Sequence, residues 1–155
     1  MQDLVNALAK QLISKGMAIA TAESCTGGLL ASHLTRKAGA SSYFDRGFIT
    51  YSNEAKHEQL GVGMNIIETY GAVSEECAKA MAEGALKNSN ADIAISITGI
   101  AGPDGGTTEK PLGTVIFGYA KKGSSKVIKH QFSGSREDIQ NQSAIKALEI
   151  LIDAI

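Results

Sequence analysis

Apolar residues recur along this chain at two alternating periods. Leu4, Val5, Leu8, Leu12 and Ile13 keep helical spacing and mark one face of an opening helix that Gly16 closes. Residues 17–22 form a short, mostly apolar run that reads as a buried strand. Residues 27–37 then carry Leu29, Leu30 and Leu34 at helical spacing. Residues 39–45 have loop composition, residues 47–51 read as a second strand and residues 53–59 as a short helix. Residues 65–69 are a candidate for another. Ser74 suits an N-cap, with Glu75 and Glu76 in the first turn to complement the helix dipole. Ala78, Met81, Ala82, Ala85 and Leu86 share one side of the helix that follows. Residues 92–98 alternate and run into a glycine-rich loop, so they read as a strand. Residues 113–120 and 126–132 flank a polar turn and predict a hairpin. Ser135-Arg136-Glu137-Asp138 approximates a capping box, with Asp in the usual Glu position, and opens a closing helix through Ile139, Leu148, Leu151 and Ile152.

The order α-β-α-β-α-α-β-β-β-α predicts an α/β fold class. It implies a single three-layer α/β/α domain over residues 1–155, with a mixed, mostly parallel sheet and one C-terminal hairpin. A length of 155 residues agrees with one domain and a sizeable core.

Composition narrows the function classes. Fifteen basic residues against sixteen acidic ones give a net charge of −1, without the basic excess of a general nucleic-acid binder. A small anion is still admissible, because local charge decides that. No apolar run approaches the roughly 20 residues that span a bilayer. The start, Met1-Gln2-Asp3-Leu4-Val5-Asn6, lacks the basic and apolar regions of a signal peptide. A cytoplasmic location is therefore expected, with Cys25 and Cys77 as reduced thiols. Neither nucleic acid nor membrane is expected as a partner. Two cysteines and three scattered histidines show no metal-ligand spacing, so no metal is expected.

Three segments carry candidate chemistry. The first is Thr21-Ala22-Glu23-Ser24-Cys25-Thr26-Gly27-Gly28, between a strand and a helix start. Ser24 on such a turn can act as a nucleophile, with nearby backbone N–H groups stabilising an oxyanion. Cys25 is either a competing nucleophile or a small buried residue packing the turn. A serine needs a base. His33, His57 and His130 occupy unremarkable polar positions, whereas Lys56, in Tyr51-Ser52-Asn53-Glu54-Ala55-Lys56, also sits where a strand passes into a helix. Burial would lower its pKa and leave a neutral amine able to take the Ser24 proton, with Tyr51 orienting it or relaying the proton. A solvated surface lysine is the alternative. The third segment, Thr98-Gly99-Ile100-Ala101-Gly102-Pro103-Asp104-Gly105-Gly106, is either an anion nest or a tight turn. Its spacing fits neither a Walker A loop nor a dinucleotide fingerprint.

Together with Gly71-Ala72-Val73-Ser74 and Lys110-Pro111-Leu112-Gly113-Thr114-Val115, these words resemble the CinA C-terminal-domain family, in order and over nearly the whole chain. Stand-alone members of that family are amidases that convert nicotinamide mononucleotide and water to nicotinate mononucleotide and ammonia in pyridine-nucleotide salvage. Without the extra N-terminal domain of the longer, competence-associated members, this chain is expected to be of the stand-alone kind. The resemblance implies Ser24 as nucleophile, Lys56 as base and Tyr51 as their partner. Cys25, Thr26, Gly27, Gly28, Thr98, Gly99, Gly102 and Arg136 would form the oxyanion and substrate-binding set. It implies a small nucleotide substrate and no metal or organic cofactor; a homo-oligomer is expected, though no pattern in the sequence encodes it. Two other classes stay open: a nucleotide-binding module with weak or no turnover, and a competence- or DNA-damage-associated interaction protein. One departure stands out. Gln140 occupies a position where the family commonly has an arginine, which leaves Arg136 either as a phosphate ligand or as part of a capped helix start.

Overall fold

The computed structural model describes residues 1–155. In chain order its elements are α1 (Gln2–Lys15), β1 (Ile19–Glu23), α2 (Leu29–Thr35), β2 (Phe44–Ile49), α3 (Asn53–Leu60), α4 (Met64–Tyr70), α5 (Glu75–Lys87), β3 (Ile93–Gly99), β4 (Thr114–Lys121), β5 (Ser124–Gln131) and α6 (Arg136–Ala154). The candidate helix at 65–69 is thus α4. The strands form one sheet in the order β2-β1-β3-β4-β5. β1 runs parallel to both β2 and β3, while β4 is antiparallel to β3 and β5. Only β4 opposes the rest, so the sheet is mixed and closes with the expected hairpin.

The two faces of the sheet differ in side-chain size, and this decides how the helices pack. Ile93, Ile95 and Ile97 of β3 point to one face, where α1, α2 and α6 supply Val5, Leu8, Leu12, Leu30, Leu34, Leu148 and Leu151. Each of these large side chains, fully buried, contributes on the order of 1.5–3 kcal/mol. On the other face Ala20, Ala22 and Ala94 meet Leu60, Ile67, Cys77, Met81 and Ala85. These small residues bring α5 close to the sheet. The Ser96 hydroxyl donates to the Ala78 carbonyl of α5 at 2.6 Å and accepts the Gly118 N–H at 3.0 Å. A Cβ on Gly118 would collide with that carbonyl, so glycine is required there.

Element ends depart from the sequence expectation where glycine or an edge strand intervenes. Gly27 and Gly28 take φ of +57° and +98°, so α2 starts at Leu29 and not at residue 27. β2 begins at Phe44, earlier than the expected residue 47. Asp45 and Arg46 sit in this edge strand and tie it to the turn after α5: Asp45 Oδ2 accepts the Asn90 N–H, and Arg46 donates to the Asn88 carbonyl. In the hairpin Lys121 pairs with Ser124, leaving a two-residue turn and moving β5 to 124–131.

This topology selects the place for a site. From β1 the chain reaches β2 through α2 on one face, then returns to β3 through α3, α4 and α5 on the other. The strand order therefore reverses between β1 and β3. Ligands of open α/β sheets bind beyond the carboxyl ends of strands at such a reversal. Both the Ser24 turn and the glycine-rich loop leave the sheet there.

Candidate active site

The Ser24 turn is held by its neighbours. The Ser24 N–H donates to the Ile97 carbonyl of β3 at 2.9 Å. The buried Glu23 carboxylate accepts the N–H groups of Gly28 (3.1 Å), Leu30 (3.1 Å) and Ala31 (2.9 Å), so a side chain from β1 caps the start of α2. Gly27 donates its N–H to the Ser24 carbonyl. Gly27 and Gly28 therefore have no N–H to offer an oxyanion, contrary to expectation, because the tight turn and Glu23 consume them. Neither the Thr26 N–H nor the Cys25 N–H has an acceptor among the fold's other residues. These are the donors left beside the hydroxyl.

Lys56 reaches this turn from the first turn and a half of α3. Ser52 caps the helix, accepting the Ala55 N–H at 3.0 Å, and this sets the rotation that carries Lys56 inward. Lys56 is 1% exposed and Ser24 9%. Nζ lies 3.0 Å from Ser24 Oγ, 2.9 Å from the Thr50 carbonyl oxygen and 3.3 Å from that of Tyr51. A neutral amine carries two N–H bonds and one lone pair. The Ser52 carbonyl is a third acceptor, at 3.5 Å; the two nearer carbonyls can take the two hydrogens, which leaves the lone pair for the serine proton. Burial lowers the Lys56 pKa below the ordinary lysine value of 10.5, against a smaller opposing pull from the Cys77 and Cys25 sulfurs. Burial also pushes the Cys25 thiol up to about 12, which disfavours a thiolate at this turn. The Cys77 thiol is raised for the same reason.

The remaining expected residues form a rim. The side chain of Tyr51 turns outward, 60% exposed, and its hydroxyl accepts a bond from Arg136 at 2.9 Å. Its contact with the lysine amine is through the backbone carbonyl, not the phenol. Arg136 also donates to the Gly102 carbonyl at 2.8 Å, linking the start of α6, the glycine-rich loop and the β2–α3 connection. Arg136 thus has two protein partners, and it sits inside a capping box in which Ser135 and Asp138 bond reciprocally. Thr98 donates to the Ala72 carbonyl at 2.8 Å, and Gly99 ends β3 against Thr114. Gln140 donates to the Cys25 carbonyl at 2.9 Å. It borders an open cleft of about 480 Å³ shared with Leu29, Arg136, Glu137 and Asn141.

The family of CinA C-terminal domains matches residues 1–155. The chain belongs to that family. As a CinA C-terminal domain it is 55% identical over 139 residues to the nicotinamide-nucleotide amidohydrolase PncC of Enterobacter agglomerans, covering 89% of this chain and 85% of that protein. It is 49% identical over 148 residues to a CinA-like protein of Syntrophobacter fumaroxidans. There the match covers 96% of this chain and 35% of the relative, so the chain spans about a third of that longer protein. Among solved structures, the competence damage-inducible protein A (ComA) of Klebsiella pneumoniae superposes with a TM-score of 0.95 at 38% identity, over 98% of this chain and 94% of that one.

The roles of three contributors to this CinA domain site escaped sequence reading. Glu23 had a signal, an acidic residue one strand-end before a glycine-rich helix start. The Thr50 carbonyl had none, because backbone acceptors carry no residue code. Gln140 is visible as a departure from the family pattern, yet its partner lies 115 positions away.

Proposed function

We propose that the chain hydrolyses the carboxamide of nicotinamide mononucleotide, releasing nicotinate mononucleotide and ammonia. The observation that carries this reading is the buried lysine amine 3.0 Å from the Ser24 hydroxyl. The likeness to an amidohydrolase of nicotinamide nucleotides supports the substrate. Neutral Lys56 accepts the Ser24 proton as Oγ bonds to the amide carbon. The resulting oxyanion is held by the Thr26 and Cys25 N–H groups. The C–N bond then breaks, and the proton on Lys56 leaves with ammonia. Water attacks the ester, gives its proton to Lys56, and frees the acid as Ser24 recovers its hydrogen. Tyr51 serves chiefly through its carbonyl, which helps aim the amine. Arg136, which borders the cleft beside the turn, is the side chain assigned to the nucleotide, with the loop of Thr98, Gly99 and Gly102 behind it.

The test is incubation of the purified chain with nicotinamide mononucleotide, followed by ammonia assay and mass detection of the amide-to-acid change. Release by the parent chain, lost in Ser24→Ala, supports the reading. Nucleotide binding by calorimetry with no ammonia contradicts it and favours a binding module.

A further inference from the structure

We infer that Gln140 is a positioning residue that aims the Cys25–Thr26 peptide at the developing oxyanion. The inference rests on the acyl-transfer reading above and deepens it. A trans peptide unit is planar, with its C=O and N–H pointing in opposite directions. The Cys25 carbonyl accepts the Gln140 side-chain N–H at 2.9 Å, so this end of the peptide faces α6. The other end, the Thr26 N–H, therefore faces away from α6 and has no acceptor in the fold. The N–H groups that follow it in the turn are all spoken for, by Glu23 at Gly28, Leu30 and Ala31, by the Thr26 carbonyl at Leu29 and by the Ser24 carbonyl at Gly27. Rotation of this one peptide would turn a carbonyl oxygen toward the oxyanion in place of a donor. Gln140 opposes that rotation. A hydrogen bond accepted by the carbonyl also polarises the peptide and strengthens the N–H at its far end.

The side chain does this as a donor, so the required chemistry is an N–H, not an amide as such. Leucine removes the donor at similar size. Glutamate keeps the shape but, ionised, offers only acceptors and repels the carbonyl. Arginine restores N–H donors at the same position. Removing an oxyanion donor typically lowers kcat by about 10²–10³-fold, and a misaimed one lowers it by less.

The experiment measures kcat and KM for ammonia release from nicotinamide mononucleotide by the parent, Gln140→Leu, Gln140→Glu and Gln140→Arg. The expected result is a kcat at least about tenfold lower in Q140L and Q140E with KM nearly unchanged, and recovery of most of the rate in Q140R. Because Gln140 is half-buried at the surface of α6, Q140E answers the question if Q140L folds poorly. Parent-like kcat in Q140L or Q140E, a loss confined to KM, or a loss that Q140R does not restore each overturns the role of Gln140 and leaves the amidase reading intact. A parent chain that releases no ammonia overturns the amidase reading itself and this inference with it.

Discussion

At the scale of single residues, two side chains in hydrogen-bond contact, Ser24 and Lys56, carry the chemistry. Ser24 and Lys56 lie 32 positions apart, and burial makes their contact chemically useful. Ser24→Ala is expected to lower the rate of ammonia release by about 10³-fold or more. Cys25→Ser should keep most of the rate, because the thiol, pushed up to about 12, contributes no thiolate near neutral pH. Steady-state assays of the two variants decide between the hydroxyl and its neighbour. Glu23, Thr50 and Gln140 hold the pair in place and were the hardest to read from the chain. Each works through the backbone, which has the same groups at every position. Ser24, Lys56 and the glycine words were legible because they carry unusual residue types at a strand end. For Lys56 the strand-to-helix position made it a candidate base, and the family resemblance set it above the other lysines.

At the scale of elements, helix starts do most of the positioning. Ser52 sets α3 and so Lys56; Glu23 sets α2 and so the nucleophile turn; Ser135 sets α6 and so Arg136 and Gln140. The caps at Ser74 and Ser135 were readable as local patterns, since a capping hydroxyl accepts an N–H only three residues further on. The cap by Glu23 was not, because the carboxylate comes from a strand and the glycines interrupt the pattern. Replacing Ser135 by Ala is expected to destabilise the fold by about 1 kcal/mol, measured by urea unfolding. A change within a few tenths would mean that the box adds nothing to α6. The edges of β2 and β5 were misplaced by up to three residues, since polar residues on edge strands look like loop.

At the scale of the whole molecule, the reversal of strand order between β1 and β3 gathers the Ser24 turn, the glycine-rich loop and the start of α6 at one end of the sheet. The element order and sheet type were legible because apolar period, read together with glycine breaks and helix caps, separates helix from strand. Strand order was not, because it depends on which face each connection crosses. Burying Lys56 has a cost that the whole fold carries. Its folded pKa is lowered, so between that value and 10.5 the unfolded chain binds the extra proton, and stability rises with pH across this window. Below the window both states are protonated, and the penalty of the buried charge is fully present. Urea midpoints of the parent should therefore rise with pH relative to Lys56→Met, which keeps both thiols and lacks the slope. Equal slopes would mean that Lys56 is not depressed. Turnover reports the same ionisation most directly. The pH dependence of kcat/KM for ammonia release is expected to fall on the acid side through a single ionisation below 10.5, the step at which Lys56 gains its proton. A rate that stays flat down to about pH 5 would contradict an uncharged lysine as the base for Ser24.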